Sequence, residues 1–262
     1  MIISKDYTEL SKTAARIVAN AIRRKPHLCI GLATGETPLG MYEALTRIHR
    51  NEGLDCSHLV TFNLDEYIGL PHDHPQSYHH YMFQNFFDHI NINRESIHIP
   101  DGSVREDYEA YCEEYERSIR DASGIDLQVL GLGVDGHIGF NEPASSLGSR
   151  TRLKTLTKQT WEDNQRFFAS DQETPQVAIT MGIGTILEAR RILLLASGAH
   201  KAVAVAKAIE GPVTSSVTAS ALQLHPDVTA ILDEEASSEL VNKEYYRRVI
   251  EMTTKMTPGR LS

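Results

Sequence analysis

Cysteine is scarce: Cys29, Cys56 and Cys112 are the only three in 262 residues, too few and too scattered for a disulfide framework or a zinc ribbon. Cys29 sits inside an apolar run and reads as a small core residue, while Cys112 lies in a helix-like stretch. No apolar run approaches the roughly 20 residues of a membrane-spanning helix. The opening Met1-Ile2-Ile3-Ser4-Lys5-Asp6 lacks the basic region and apolar block of a secretory signal. A basic block is missing too. The 26 Lys and Arg stand against 35 Asp and Glu, a net charge of −9, which gives no electrostatic reason to bind nucleic acid or an anionic membrane. Low-complexity linkers and internal repeats are equally absent. The expectation is a soluble, cytoplasmic protein without nucleic-acid or membrane partners. At 23% charged and 41% hydrophobic residues the composition argues against disorder, and the length allows a substantial core.

What the sequence does contain is an alternation of short apolar runs with helix-period segments. Tyr7, Leu10, Ala14, Ile17, Val18, Ala21 and Ile22 mark an amphipathic helix that Pro26 terminates. Strands are expected at 28–32, 59–64, 125–132, 192–196 and 228–232. Helices are expected from Thr37-Pro38 through Ile48, over 78–88, around Tyr108 to Ile119, over about 199–209 and at the C-terminus. Strands that are apolar throughout imply burial on both faces of a sheet. With helices between them, the fold class is α/β: one domain over 1–262 with a mostly parallel, open, Rossmann-like sheet flanked by helices. Residues from about 147 to 180 fit the alternation worst and read as an inserted layer or lid.

The unusual residues cluster after the strands, on the edge where open parallel sheets bind ligands. Thr34-Gly35-Glu36-Thr37-Pro38 follows the first strand and Asp65-Glu66-Tyr67 the second. Gly133 to His137 follows the third, and Ser197-Gly198-Ala199-His200-Lys201 the fourth. The first cluster offers hydroxyls and free N–H groups at a helix N-terminus, which suits a phosphate. It is neither a Walker loop nor Gly-x-Gly-x-x-Gly. Lys201 and Arg166 are candidates to add positive charge there.

The densest chemistry is Asp135-Gly136-His137-Ile138-Gly139-Phe140-Asn141-Glu142-Pro143. A histidine between two carboxylates can be held in one tautomer near neutral pH, as proton transfer requires. Asp-x-His also suits a metal, but no second set completes a coordination sphere, so no metal is expected. His72, His74, His79 and His80 read as a polar loop and helix face. A Ser-His-Asp hydrolase lacks its Gly-x-Ser-x-Gly elbow here. Asp65, emerging from an apolar strand with little water around it, is either a base of raised pKa or a turn cap.

Taken together, these stretches resemble the glucosamine-6-phosphate deaminase (isomerase) family. They are Gly31 to Pro38, Phe62 to Pro71, Gly133 to Pro143, Ser149 to Arg152, Arg166-Phe167-Phe168 and Gly198 to Ala202, in matching order from about Met1 to Glu239. Glu36 departs from the pattern and its carboxylate has to point away from a bound phosphate. The resemblance implies that His137 opens the sugar ring, that Asp135 and Glu142 orient it, and that Asp65 takes the C2 proton. It implies a phosphate held by Thr34, Gly35, Thr37, Arg166 and Lys201, with Gly133 beside the sugar, and no metal or organic cofactor. It further implies a homohexamer activated by N-acetylglucosamine 6-phosphate at Ser145, Arg152 and Lys154, with Tyr245 or Tyr246 nearby. A 6-phosphogluconolactonase, with a similar Gly-x-Asp-Gly-His loop, is the nearest rival; Asn141-Glu142-Pro143 and Asp65-Glu66-Tyr67 favour the deaminase. A sugar-phosphate sensor that has lost turnover is the rival from another class, and the intact Asp65, Asp135, His137 and Glu142 argue against it.

Overall fold

The computed structural model describes residues 1–165, 168 and 174–256. In chain order the first elements are β1 (Ile2–Ser4), α1 (Tyr7–Arg24), β2 (Cys29–Leu32), α2 (Glu36–Glu52), β3 (Val60–Asn63), β4 (Asp65–Tyr67), α3 (Tyr78–Asn85), β5 (Ile97–His98) and α4 (Tyr108–Asp121). There follow β6 (Leu127–Gly131), β7 (Arg152–Thr155), α5 (Lys158–Gln165), β8 (Val177–Thr180), α6 (Ile183–Leu187), β9 (Ile192–Ala196), α7 (Ala202–Ile209), β10 (Val228–Asp233) and α8 (Lys243–Met256).

Seven strands form one sheet in the order β1-β10-β9-β6-β2-β3-β5, and every pairing in it is parallel. The apolar runs divide their side chains between two cores by simple alternation. On β9, Leu193 and Leu195 join α1 and α2 on one face, while Ile192, Leu194 and Ala196 join α4 and α7 on the other. Burial of both faces is why these strands carry no polar alternation. Asp6 caps α1 by accepting the Glu9 N–H at 2.9 Å, and the apolar stripe of α1 faces the first core.

Three expectations need correction. The second strand stops at Asn63, and Asp65–Tyr67 is a separate strand in a small antiparallel sheet ordered β4-β8-β7. Leu64 joins the two sheets: its N–H donates to Leu32 at 3.1 Å, and its carbonyl accepts the Met181 N–H. The helix expected from Thr37-Pro38 begins one residue earlier, at Glu36, with Gly35 as its cap and no side-chain capping bond. Within 147–180, β7 and β8 are two of the three strands of the small sheet rather than an appendage; the stretch 166–173, Phe168 excepted, lies outside the described residues. The edge strands β1 and β5, three and two residues long, are too short to leave a pattern in the sequence.

Candidate active site

The chain runs from β2 outward to β3 and β5, then returns to pair β6 on the other side of β2. That reversal opens a crevice between the ends of β2 and β6. On that edge of the sheet come the Thr34–Thr37 turn after β2, the loop 133–142 after β6, and Asp65 two residues past β3, with the Gly198–Lys201 turn following the adjacent β9.

The loop after β6 is a set of tight turns. Gly133 N–H donates to the His137 carbonyl at 2.8 Å, and Gly136 and Gly139 have φ of +89° and +56°. A Cβ on Gly133 would lie 2.4–2.6 Å from three atoms of the His137 ring, so the imidazole rests directly on glycine backbone. His137 Nδ1 is 2.6 Å from Asp135 Oδ1 and 3.8 Å from Glu142 Oε2. The Nδ1–Asp135 contact is close but does not meet hydrogen-bond geometry. Burial pushes the Asp135 carboxyl up, but the imidazole and the backbone N–H of His137 outweigh it and hold it below the ordinary value. Glu142 is fully buried and otherwise accepts only long bonds from Thr157, at 3.4 and 3.3 Å. With Nδ1 turned to the carboxylates, Nε2 is the nitrogen left to exchange a proton.

Asp65 pairs with Thr180 across the small sheet and is 6% exposed. A Cβ on Gly139 would stand 3.2 Å from Asp65 Oδ2 and 3.1 Å from Thr180 Oγ1, so the carboxylate meets the imidazole-bearing loop at a glycine. Burial first, and the neighbouring Glu66 charge second, push the Asp65 carboxyl up to about 8, against the opposing influence of the nearby Phe140 N–H, which itself donates to Thr180 Oγ1 at 3.1 Å. Asn141 fastens the far end of the loop. Its Nδ2 donates to the Ile138 and Met181 carbonyls at 3.0 and 2.9 Å, and its Oδ1 accepts Arg152 Nη1 at 3.0 Å.

Thr34 and Thr37 are half-buried and Gly35, at φ +110°, caps α2 without a side-chain bond. The first N–H groups of α2 therefore face the crevice side of the turn without a side-chain cap. Exposed Glu36 sits in the same first turn, and its carbonyl accepts the Tyr7 hydroxyl at 2.8 Å. Lys201, half-buried, closes a 3-10 turn that Asp233 anchors through the Gly198 N–H at 3.0 Å and the Ser197 hydroxyl. Arg166 lies outside the described residues.

Farther along the chain, the Ser145 N–H donates to the Glu142 carbonyl at 3.0 Å, while its buried hydroxyl has no partner. Arg152 and Lys154 are half-buried on β7. Tyr246 packs against the core and donates to Glu210 at 3.0 Å, whereas Tyr245 is 65% exposed. The histidine group is a polar surface feature: His72 contacts Asp101 at 3.1 Å and stacks on His79. Among the described residues, Asp135, His137 and Glu142 form the one cluster whose possible ligand atoms all lie within 4.8 Å of one another.

The family model for glucosamine-6-phosphate isomerases and 6-phosphogluconolactonase matches residues 5–230. The chain belongs to this family. A glucosamine-6-phosphate deaminase of Thermoanaerobacter pseudethanolicus is 53% identical over 244 residues, covering 93% of this chain and 96% of that one. One from Shewanella loihica is 48% identical over 262 residues, covering 100% of this chain and 97% of its own. A solved structure described as a monomeric glucosamine-6-phosphate deaminase superposes with a TM-score of 0.88 at 48% identity, over 91% of this chain and all of that one. The 6-phosphogluconolactonase from Trypanosoma cruzi, at 22% identity and a TM-score of 0.71 over 92% of this chain and 96% of that one, shares the fold.

Within this family fold, the structure brings Asp65 and the loop of Asp135, His137 and Glu142 together. Gly133, expected beside the sugar, is the seat of the imidazole ring. The sequence reading gave no task to Glu66, Thr180 or Asp233. The first stood inside a quoted motif, but the other two are tied to the site only by pairing and hydrogen bonds between distant segments.

Proposed function

We propose that this protein is a glucosamine-6-phosphate deaminase, converting glucosamine 6-phosphate and water to fructose 6-phosphate and ammonia. The observation that carries the reading is Asp65, a buried carboxylate with a pKa raised to about 8, set against the loop that holds His137. A carboxylate near neutrality is a stronger base toward a carbon-bound proton than an ordinary aspartate. His137, oriented by Asp135 and Glu142, relays the proton of the C1 hydroxyl to the ring oxygen as the C1–ring-oxygen bond breaks, opening the pyranose. The open-chain aldehyde acidifies the proton at C2, which Asp65 removes. Asp65 then returns it to C1 of the enolamine, leaving an imine at C2. Water adds to that carbon, the C–N bond breaks, and ammonia departs. No step calls for a metal or organic cofactor. Thr34, Gly35, Thr37, Lys201 and Arg166 hold the phosphate, so that binding energy remote from C2 aligns the reacting carbon with Asp65.

The finer reading places the enzyme in the cytoplasm, in amino-sugar catabolism, as a homohexamer activated by N-acetylglucosamine 6-phosphate. Ser145, Arg152 and Lys154 supply a hydroxyl and two cations for the activator's phosphate. The bond from Arg152 to Asn141 supports coupling of that site to the catalytic loop. Tyr245, exposed, is the tyrosine free to reach a neighbouring copy, because Tyr246 is held by Glu210.

The test follows ammonia and ketose release from glucosamine 6-phosphate beside hydrolysis of 6-phosphogluconolactone. Ammonia from the first and no reaction with the second is the expected result; lactone hydrolysis alone would overturn the reading. Substrate curves left unmoved by the acetylated sugar phosphate would remove the activator site.

A further inference from the structure

Asp65 and Glu66 are neighbours on β4, so their side chains leave opposite faces of the strand. The reaction above uses Asp65 and leaves Glu66 without a task, yet Glu66 is only 1% exposed. A carboxylate that deep has to be held by donors. Its Oε1 accepts the N–H groups of Tyr67 and Tyr78, each at 2.9 Å, and its Oε2 accepts that of His79 at 2.8 Å. Tyr78 and His79 are the first two residues of α3, and Ser77 already serves the third N–H, that of His80, at 3.0 Å. The two caps together leave no N–H of the first turn unpaired, and Glu66 alone among them reaches back to β4. Behind it lies Gly102, where an added Cβ would come within 3.3 Å of Glu66 Cγ, so the side chain packs against glycine there.

We propose that Glu66 is a positioning residue for deamination: bound across the start of α3, it fixes β4 so that Asp65 faces Gly139 and Thr180, and its charge governs when Asp65 can accept a proton. The proposal rests on the deaminase reading. Around the two carboxylates stand Tyr67 on β4, His72 before α3, Tyr78 and His79 on α3, Tyr115 on α4, the Phe140 N–H of the catalytic loop and Thr180 on β8. Among the described residues that set holds no lysine or arginine. Burial pushes Glu66 up to about 7 against its three N–H bonds, and its charge adds to the rise at Asp65.

Glu66→Gln keeps a carbonyl oxygen for α3 and removes the charge. The acidic limb of kcat/KM against pH is expected to move down by about one pH unit, the direction expected when a like charge leaves a carboxylate. Turnover on the alkaline plateau is expected to stay within about tenfold of wild type. A limb that stays in place while the rate falls equally at every pH means a structural cap only, and overturns the proposal. Carbon-13 titration of the Asp65 and Glu66 carboxyls in the wild-type chain decides the matter independently of whether the variant folds. Each carboxyl is expected to show an inflection at the other's midpoint; two independent single-step curves overturn the coupling. A wild-type chain that releases no ammonia overturns the deaminase reading instead, and leaves that titration to judge Glu66.

Discussion

At the scale of single residues, the site is governed by how much water each carboxylate has lost. Asp65 and Asp135 are the same residue type, yet one is driven up to about 8 by burial and a neighbouring acid, while the other, half-exposed against an imidazole, is held below its ordinary value. That divergence separates a proton acceptor from a permanent counter-charge. Asp65→Asn is expected to abolish exchange of the C2 proton with deuterium, a loss of about 10³-fold or more, while substrate binding stays measurable. Rapid exchange in that variant would make another group the base. The same shift sets a pH dependence of stability. Because the folded pKa is raised above the unfolded value of 3.8, the contribution is fully present below about pH 4 and is lost as pH rises through about 8. Asp65→Asn therefore matches wild type near pH 4 and exceeds it above pH 8, by on the order of a few kcal/mol in denaturant unfolding. Gly133→Ala places a methyl within 2.6 Å of the His137 ring and has to displace it. Turnover is expected to fall by about 10²-fold, because a shift of roughly 1 Å in a catalytic group costs that much. An alanine variant with wild-type kcat would show that the ring's seat on glycine is dispensable.

Among the elements, long apolar runs were legible and short polar strands were not. The run Ile192–Ala196 coincides with β9 and was readable because both of its faces are buried. The small sheet was not readable: β4 is Asp-Glu-Tyr and β7 is Arg-Leu-Lys-Thr, which carry no apolar signal. They are strands because β8 pairs with both. The C-terminal helix α8 depends on a comparable remote contact. Glu210, on the turn after α7, accepts the N–H groups of Val241 and Asn242, each at 2.8 Å, as well as the Tyr246 hydroxyl. Glu210→Ala is expected to speed hydrogen exchange across Lys243–Met256 while saturated ammonia release is unchanged. Unaltered protection of those amides would mean that the helix is held by its packing alone.

For the molecule as a whole, mass and kinetics separate a hexamer from a single chain. The relative described as monomeric is spanned in full by 91% of this chain, so roughly a tenth of this chain has no counterpart in it. If the hexamer reading holds, light scattering returns the mass of six chains, and N-acetylglucosamine 6-phosphate lowers the glucosamine 6-phosphate concentration needed for half-maximal rate. A single-chain mass with hyperbolic, effector-independent kinetics would align this protein with the monomeric relative. Either outcome leaves the catalytic crevice intact, since Asp65, His137 and their partners all come from one chain.

The sequence by itself determined the seven-stranded core's principal strands and helices, because a fully buried strand must be apolar throughout and an amphipathic helix must repeat at three and four. It also marked Asp65, Asp135, His137 and Glu142, since polar residues and glycines gathered after apolar strands stand on the edge where open parallel sheets bind ligands. Only the tertiary structure decided that Asp65 starts a second sheet opposite Thr180, that Glu66 binds the start of α3, and that Asn141 fastens to Met181. Those contacts join segments far apart in the chain, and what one segment's environment does to another's proton is written in distances rather than in residue order.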